Sequence, residues 1–193
     1  MKRAVVVAVA VVAILTLAIA ASAQIVKPNI IKVGGTWPIK SEVRDATDSL
    51  WLYAGYERIV AEMPDSRSDV TVEIGWTEGS GETYDSPILE QAKLAVVDKV
   101  KIEGRIIPVL VNWRQHAAND DMASTGFFYG IGAGAYFIRG ETDGYSSSKT
   151  KFGLAPFVGI EGETWQGELK YNFVGKFEGT RVDNLLLTFG YRF

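Results

Sequence analysis

The stretch that decides the fold is the end of the chain, Leu185–Phe193, which reads LLLTFGYRF. Successive side chains of a β-strand point to opposite faces, so a strand here would separate its side chains into two rows. One row is entirely apolar and consists of Leu185, Leu187, Phe189, Tyr191 and Phe193. An apolar row that ends on exposed aromatics would promote aggregation in water, but it suits the lipid-facing side of a membrane barrel.

A second signal lies at the beginning of the chain. Residues 1–23 start with two basic residues, continue with a long apolar run and end on Ala21-Ser22-Ala23. This order is typical of a secretory signal peptide whose cleavage site is marked by the small residues Ala21 and Ala23. An uncleaved membrane helix is the alternative, because about 20 apolar residues are enough to span a bilayer. We expect a signal peptide at 1–23 and one domain at 24–193.

The composition of this domain excludes several classes of function. Cleavage removes two of the 20 Lys and Arg residues, which leaves 18 against 23 Asp and Glu, a formal charge of −5. Nucleic-acid binding is therefore disfavoured, because no basic surplus is available for phosphates. The chain has no Cys, which excludes disulfides, thiolate metal sites and thiol catalysis. After residue 23 no apolar run approaches 18 residues, so a membrane-spanning domain would have to be a β-barrel.

Alternating segments between turn-forming clusters predict eight strands. They span about 30–38, 49–62, 69–78, 99–115, 126–140, 150–161, 164–176 and 182–193. An even number places both termini on one side, which in an outer-membrane barrel is the periplasm. The external loops would then be 39–48, 79–98, 141–149 and 177–181, with inner turns at 63–68, 117–125 and 162–163. A short helix starting at Ser86-Pro87 is predicted within the second external loop.

Three of these strands, 30–38, 49–62 and 99–115, are less regular than the others. In 49–62 both faces carry aromatics, and we predict that Leu52 and Ala54 face outward while Glu57 points inward. In 99–115 the apolar alternation changes phase around Ile106–Pro108. Because proline is tolerated in a strand where the ladder is irregular, this change predicts a β-bulge.

The polar face of the strands indicates which side meets lipid. It holds glycines at 130, 132, 134, 153, 159 and 190, and the charged residues Glu73, Lys101, Glu103, Arg105, Glu168, Lys170 and Arg192. Inside a narrow barrel, small side chains make room for long charged ones, and charges of mixed sign neutralise each other. We therefore predict a charge network that fills the lumen. A water or ion path through this network is the functional alternative. A soluble secreted β-protein with its apolar face inward would have the same alternation.

The sequence offers little for catalysis or metal binding. His116 is the only histidine, which excludes a multi-histidine metal site, and its predicted place is an exposed turn at the inner end of the barrel. Gly130–Gly134 lacks the third glycine and the helix of a dinucleotide fingerprint. Glu161 and Glu163 flank a tight turn at the membrane edge. We predict no catalytic residue, no metal site and no cofactor.

The domain resembles the small eight-stranded outer-membrane β-barrels of the OmpX, OmpW and OmpA-transmembrane-domain type. The segments that carry the resemblance are Leu187–Phe193, Ile107–Asn112 and Phe128–Gly134. The resemblance implies an all-β up-and-down transmembrane barrel in the outer membrane of a Gram-negative-type bacterium. It also implies that Phe189, Gly190, Tyr191 and Phe193 form the terminal signal read by the barrel-assembly machinery.

The same resemblance implies a set of partners and a role. Periplasmic chaperones and the assembly machinery would handle the chain during biogenesis, and outer-membrane lipid would surround the finished monomer. The implied role is non-enzymatic, in envelope integrity or surface interaction. Two alternatives stay open at this point: a narrow channel for small or hydrophobic solutes, and a lipid-modifying enzyme that would depend on His116.

Overall fold

The computed structural model describes residues 27–40, 43, 50–63, 66–84, 99–117, 126–142 and 145–193. The predicted signal peptide, its cleavage residues Ala21 and Ala23, and the helix predicted at Ser86 lie outside the described residues. Within the ranges that are described, no helix is long and apolar enough to cross a membrane.

The described residues form a closed antiparallel barrel of eight strands and one small hairpin. The barrel strands are β1 (Asn29–Pro38), β2 (Trp51–Met63), β3 (Ser68–Tyr84), β4 (Lys99–His116), β5 (Gly126–Thr142), β6 (Tyr145–Glu161), β7 (Trp165–Asn172) and β10 (Asn184–Arg192). The hairpin consists of β8 (Lys176–Phe177) and β9 (Thr180–Arg181). Each barrel strand pairs with its neighbour in sequence, and β10 closes the ring by pairing with β1. The predicted eight-stranded up-and-down barrel is confirmed.

The two ends of the barrel differ in how far the strands extend. Phe193 and Asn29 exchange backbone hydrogen bonds at one end, which we call the terminal end. At the opposite end, the far end, β3 continues to Tyr84 and β6 begins at Tyr145, although both segments were predicted to be loops. The ladders β3–β4 and β5–β6 stay in register there, because Ser, Thr and Lys side chains do not interrupt backbone pairing.

The β-bulge lies in a different strand from the one predicted. β4 pairs with β5 without a register shift from Ile102 to His116, so the bulge predicted at Ile106–Pro108 is wrong. Ile106 and Pro108 are both buried and face inward. The far half of the lumen is apolar, so the apolar residues on the inner face of β4 there gave the appearance of a change of phase. The observed shift lies in β2, between Ile59 and Ala61.

The apolar rows face outward and the polar rows face inward. Leu52 and Phe152 are 72% and 80% exposed, whereas Glu57 is fully buried inside. The predicted facing of the second strand is therefore confirmed. The sequence suggested that inward glycines make room for long charged side chains, but at Gly159 the space is filled by an aromatic ring: a Cβ there would lie 2.2 Å from Cζ of Phe128.

Candidate functional site

The barrel interior holds a cluster of charged side chains that we call the lumen cluster. It consists of Lys32, Glu57, Glu73, Arg114, Glu168 and Lys170, contributed by β1, β2, β3, β4 and β7. Each of these residues is at most 1% exposed. Three cations therefore face three carboxylates inside the barrel, and the cluster is formally neutral.

Lys32 lies at the centre of the lumen cluster. Its Nζ is 2.5 Å from Oε2 of Glu57, and 3.1 Å from both Oε2 of Glu73 and Oε1 of Glu168. Lys170 binds two of the same carboxylates, with Nζ 2.6 Å from Glu73 and 3.0 Å from Glu168. Each ammonium group thus contacts at least two carboxylates, the arrangement that offsets the high cost of removing charge from water.

Arg114 completes the cluster on the side of the terminal end. Its Nη2 donates to Oε1 of Glu57 at 2.7 Å, and its Nη1 donates to Oε1 of Gln166 at 3.1 Å. Neutral groups satisfy the remaining carboxylate lone pairs: Tyr53 and Asn112 donate to Glu73, and Thr71 donates to Glu57. A buried polar network of this kind rigidifies a structure when its members have partners.

The far half of the lumen is apolar rather than charged. Its buried cluster consists of Trp51, Ile106, Leu110, Tyr136, Ile138, Ala155 and Val174, with Val43, Phe177 and Val182 packed against it. Asp183 accepts hydrogen bonds from the backbone N–H groups of Val174 and Gly175, which holds the segment after β7 over this cluster. The described interior is therefore closed by an ionic layer and, above it, by an apolar layer.

His116 lies inside the terminal end, and the prediction of an exposed turn residue is corrected. It is the last residue of β4, with Nε2 2.9 Å from Oδ2 of Asp69 and Nδ1 against Oε1 of Glu161. Arg192 donates to the other oxygen of Glu161 at 2.8 Å. Both ring nitrogens face carboxylate oxygens, which only accept when ionised, so the geometry fits the imidazolium form of His116. Neither nitrogen is left to act as a base.

Some of the charged residues predicted to line the lumen face inward in the structure, and others face outward. Glu73, Glu168 and Lys170 meet in the lumen cluster, and Arg192 faces inward at the terminal end. Glu103 and Arg105 face outward, and their prediction as lumen residues is corrected. The side chain of Lys101 lies outside the described side chains.

The outward position of Arg105 follows from the uninterrupted phase of β4. Without a bulge, the odd-numbered residues of this strand face out from Glu103 to Trp113. Arg105 accordingly donates to Oε1 of Glu78 at 3.1 Å, and its guanidinium carbon lies 4.3 Å from the ring centre of Trp76. Both of these partners are exposed on the outside of β3.

Sequence reasoning missed three residues of the interior. Lys32 and Arg114 were not singled out, and Glu57 was predicted to point inward but not to join the network. The signal was available, because Lys32 alternates with the apolar Ile31 and Val33. Their contacts could not be predicted because the partners are widely separated along the chain: Lys32 and Glu168 are 136 residues apart.

The predicted assembly signal lies at the end of the chain, along and just after the last strand. Phe189, Tyr191 and Phe193 are 56%, 56% and 46% exposed and face outward, while Gly190 is buried on the inner face. Their recognition by the assembly machinery stays a prediction. No metal-binding group of three or more His, Asp or Glu side chains occurs among the described residues.

Two solved structures are similar to this chain. The crystal structure of Neisserial surface protein A matches with a TM-score of 0.52 and 12% identity, over 85% of this chain and 94% of the other. Ail, the attachment invasion locus protein of Yersinia pestis, matches in complex with the heparin analogue sucrose octasulfate with a TM-score of 0.46 and 16% identity, over 86% of this chain and 97% of the other. No protein-family model and no curated protein matches the chain. The chain has the fold of the small eight-stranded outer-membrane β-barrels.

Proposed function

We propose that this protein is an integral, non-enzymatic barrel of the bacterial outer membrane that seals its own lumen and presents a β-sheet at the cell surface. The observation that carries the proposal is the reversed polarity of the fold. Charged residues such as Lys32 and Glu168 are fully buried, while large apolar residues such as Phe152 and Phe189 are exposed. This arrangement is stable only where hydrocarbon surrounds the barrel.

The closed lumen favours a structural role over a channel. An eight-stranded barrel is just wide enough for its interior to be filled by side chains. Here the ionic layer spans the lumen from β1 to β7, and Trp51 and Tyr136 belong to the apolar layer above it. An ion would have to disrupt both layers in order to pass.

The far end supports a surface-interaction role. β3, β4, β5 and β6 extend there as a continuous four-stranded sheet, with pairs as distant as Thr83 with Val100 and Glu141 with Ser146. No described strand pairs with β6 between Tyr145 and Gly153. An open sheet edge can bind an extended segment of a partner through backbone hydrogen bonds. We infer that the far end faces the outside of the cell and the terminal end faces the periplasm.

The environment of His116 supports a non-enzymatic role. A lipid-modifying enzyme would need a base that reaches a substrate from the outer leaflet. His116 instead lies at the terminal end, with both ring nitrogens against the carboxylates of Asp69 and Glu161.

Two measurements on the purified chain test the sealed barrel. In a detergent gel, unboiled protein should migrate differently from boiled protein, as a closed barrel does. In planar bilayers, the same preparation should give no discrete conductance steps. Identical mobility would contradict the membrane barrel, and regular conductance steps would favour the narrow channel.

Epitope tags test the orientation. A tag inserted in the link between Thr142 and Tyr145, which pair with each other at the far end, should be labelled by antibody on intact cells. A matched tag between Gly162 and Glu163, in the turn at the terminal end, should be labelled only after the outer membrane is permeabilised. The opposite pattern would reverse the proposed orientation and remove the sheet from the cell surface.

A further inference from the structure

Toward the far end, one edge of β6 has backbone groups that no strand in the described part of the chain pairs with. Leu154 exchanges backbone hydrogen bonds with Phe173, so its N–H and C=O point away from β5. β6 pairs with β5 without a register shift, and every second residue therefore points its backbone groups the same way. Toward the far end these residues, which we call the edge residues, are Phe152, Thr150, Ser148 and Ser146.

Most of this edge lies beyond the apolar face of the barrel. Phe152 is the last apolar residue on the outer face of β6, and the three edge residues that follow it have exposed hydroxyl side chains. Open edges are commonly protected by a proline, a bulge, a covering segment or a charge. Between Tyr145 and Gly153 there is no proline and no register shift, so only charge protects this edge.

The charge beside the edge is positive. Lys149 and Lys151 alternate with the edge residues and lie on the inner face of β6, where the hairpin β8–β9 packs. Oε1 of Glu178, in the turn of the hairpin, is 2.9 Å from Oγ of Ser147 and 2.6 Å from Nζ of Lys149. Residues 145–153 and 175–182 together contain four basic residues and one acidic residue, although the whole chain has a formal charge of −3. The edge therefore attracts acidic partners.

We propose that the edge of β6 binds an extended acidic segment of a partner polypeptide as an additional antiparallel strand. The inference deepens the proposed surface-interaction role and rests on it, because the edge must face the outside of the cell. Ser146, Ser148 and Thr150 exchange backbone hydrogen bonds with alternate residues of the segment. The residues between these face Lys149 and Lys151 in the non-hydrogen-bonded positions, where side chains are closest, so carboxylates there form cross-strand ion pairs.

The geometry favours a polypeptide of another kind over two other occupants. A sulfated polysaccharide is acidic, but it lacks the regular alternation of amide donors and carbonyl acceptors that a strand presents to the edge. A second copy of this chain carries the same lysines. Two β6 edges paired about Lys149 place that residue opposite itself, and two edges paired about Thr150 place Lys149 opposite Lys151. Like charges directly opposite each other destabilise a sheet.

Peptide binding to the full chain in nanodiscs tests the backbone pairing. The probe is a capped, fluorescently labelled octapeptide of alternating Thr and Glu, and fluorescence anisotropy gives its Kd. When the Glu side chains face Lys149 and Lys151, the N–H groups of the Thr residues donate to β6. N-methylation of the Thr residues should therefore abolish binding. N-methylation of the Glu residues, whose N–H groups point away from β6, should retain it.

Variants of the protein separate the backbone contribution from that of charge. S148P removes an edge N–H without removing a bond to β5, as proline on an edge strand allows, and should weaken binding about tenfold, whereas S148A should bind as the wild type does. K149Q/K151Q should weaken binding about fivefold through the loss of two cross-strand ion pairs. The matched control K27Q/K40Q removes two positive charges elsewhere and should leave the Kd unchanged.

Each other outcome overturns the inference. Equal binding by S148P and S148A, or by the two N-methylated peptides, would exclude strand pairing. Heparin that displaces the peptide from the wild type and binds S148P equally well would indicate a general site for polyanions. A dimer in sedimentation that S148P abolishes would identify a second copy as the occupant. A folded chain that binds no peptide refutes only the edge site, whereas a far-end tag labelled only after permeabilisation refutes the surface role on which the site rests.

Discussion

Replacement of Lys32 by methionine tests the lumen cluster at its centre. Methionine retains the length of the side chain but removes the ammonium group that lies within 3.1 Å of Glu57, Glu73 and Glu168. Three buried carboxylates would then face only Lys170 and Arg114. Because breaking a buried ion pair leaves an uncompensated charge, we expect the free energy of unfolding to fall by about 3–5 kcal/mol.

The assay is equilibrium unfolding in urea at neutral pH, with the folded fraction read from the unboiled band on a detergent gel. The exposed pair formed by Lys149 and Glu178 provides the control, and K149Q should cost less than about 1 kcal/mol. The double variant K32M/E168Q restores a neutral cluster, since it removes one charge of each sign. We therefore expect it to be more stable than K32M alone.

Two results would refute this reasoning. If K32M lies within about 1 kcal/mol of the wild type, the range of an exposed ion pair, the cluster does not stabilise the fold. If the losses of unfolding free energy caused by K32M and E168Q simply add in the double variant, the two residues do not interact. The contact of 3.1 Å between them then does not stabilise the fold.

Three further predictions concern packing, lipid contact and assembly. G159A should destabilise the barrel by about 1–3 kcal/mol in the same unfolding assay, because its Cβ would overlap a neighbouring aromatic ring, whereas G167A, whose Cβ would make an ordinary contact of 3.7 Å with Ile160, should not. V111R introduces a charge in the middle of the apolar face and should cost about 2–4 kcal/mol in lipid bilayers, while S146R, which lies opposite Glu141 beyond the apolar face, should cost little, and equal costs would contradict the membrane boundary. F193A should slow insertion by the assembly machinery in a reconstituted system and leave unfolding in urea nearly unchanged, because the alanine variant retains the backbone hydrogen bonds between residue 193 and Asn29; normal insertion would remove its role as a signal.

Much of this fold is predictable from the sequence because strands carry their own signal. Alternation in Leu185–Phe193 separates lipid-facing from lumen-facing residues without any knowledge of partners. The same local rule identified the inward position of Glu57 and the space left by Gly159. These features depend only on neighbours along one strand.

The errors in the prediction of β4 arose where the lumen changes from charged to apolar along its length. Ile106 and Leu110 face an apolar layer, and a rule that expects polar residues inside interprets them as a shift of phase. That shift moved Arg105 from the outer face into the predicted lumen. The partners of Lys32 and His116 depend on which strands face each other across the barrel, and alternation within one strand contains no information about that.

The central claim is that hydrocarbon meets the apolar rows while the lumen encloses the charged ones. The chain has no Cys, so single cysteines introduced from 184 to 192 can carry a nitroxide label without background. In lipid bilayers, electron paramagnetic resonance measures the access of dissolved oxygen, which concentrates in hydrocarbon, to each label. The account predicts high oxygen access at Leu185, Leu187, Phe189 and Tyr191 and low access at the positions between them. Uniform access along the strand, or the opposite alternation, would contradict it.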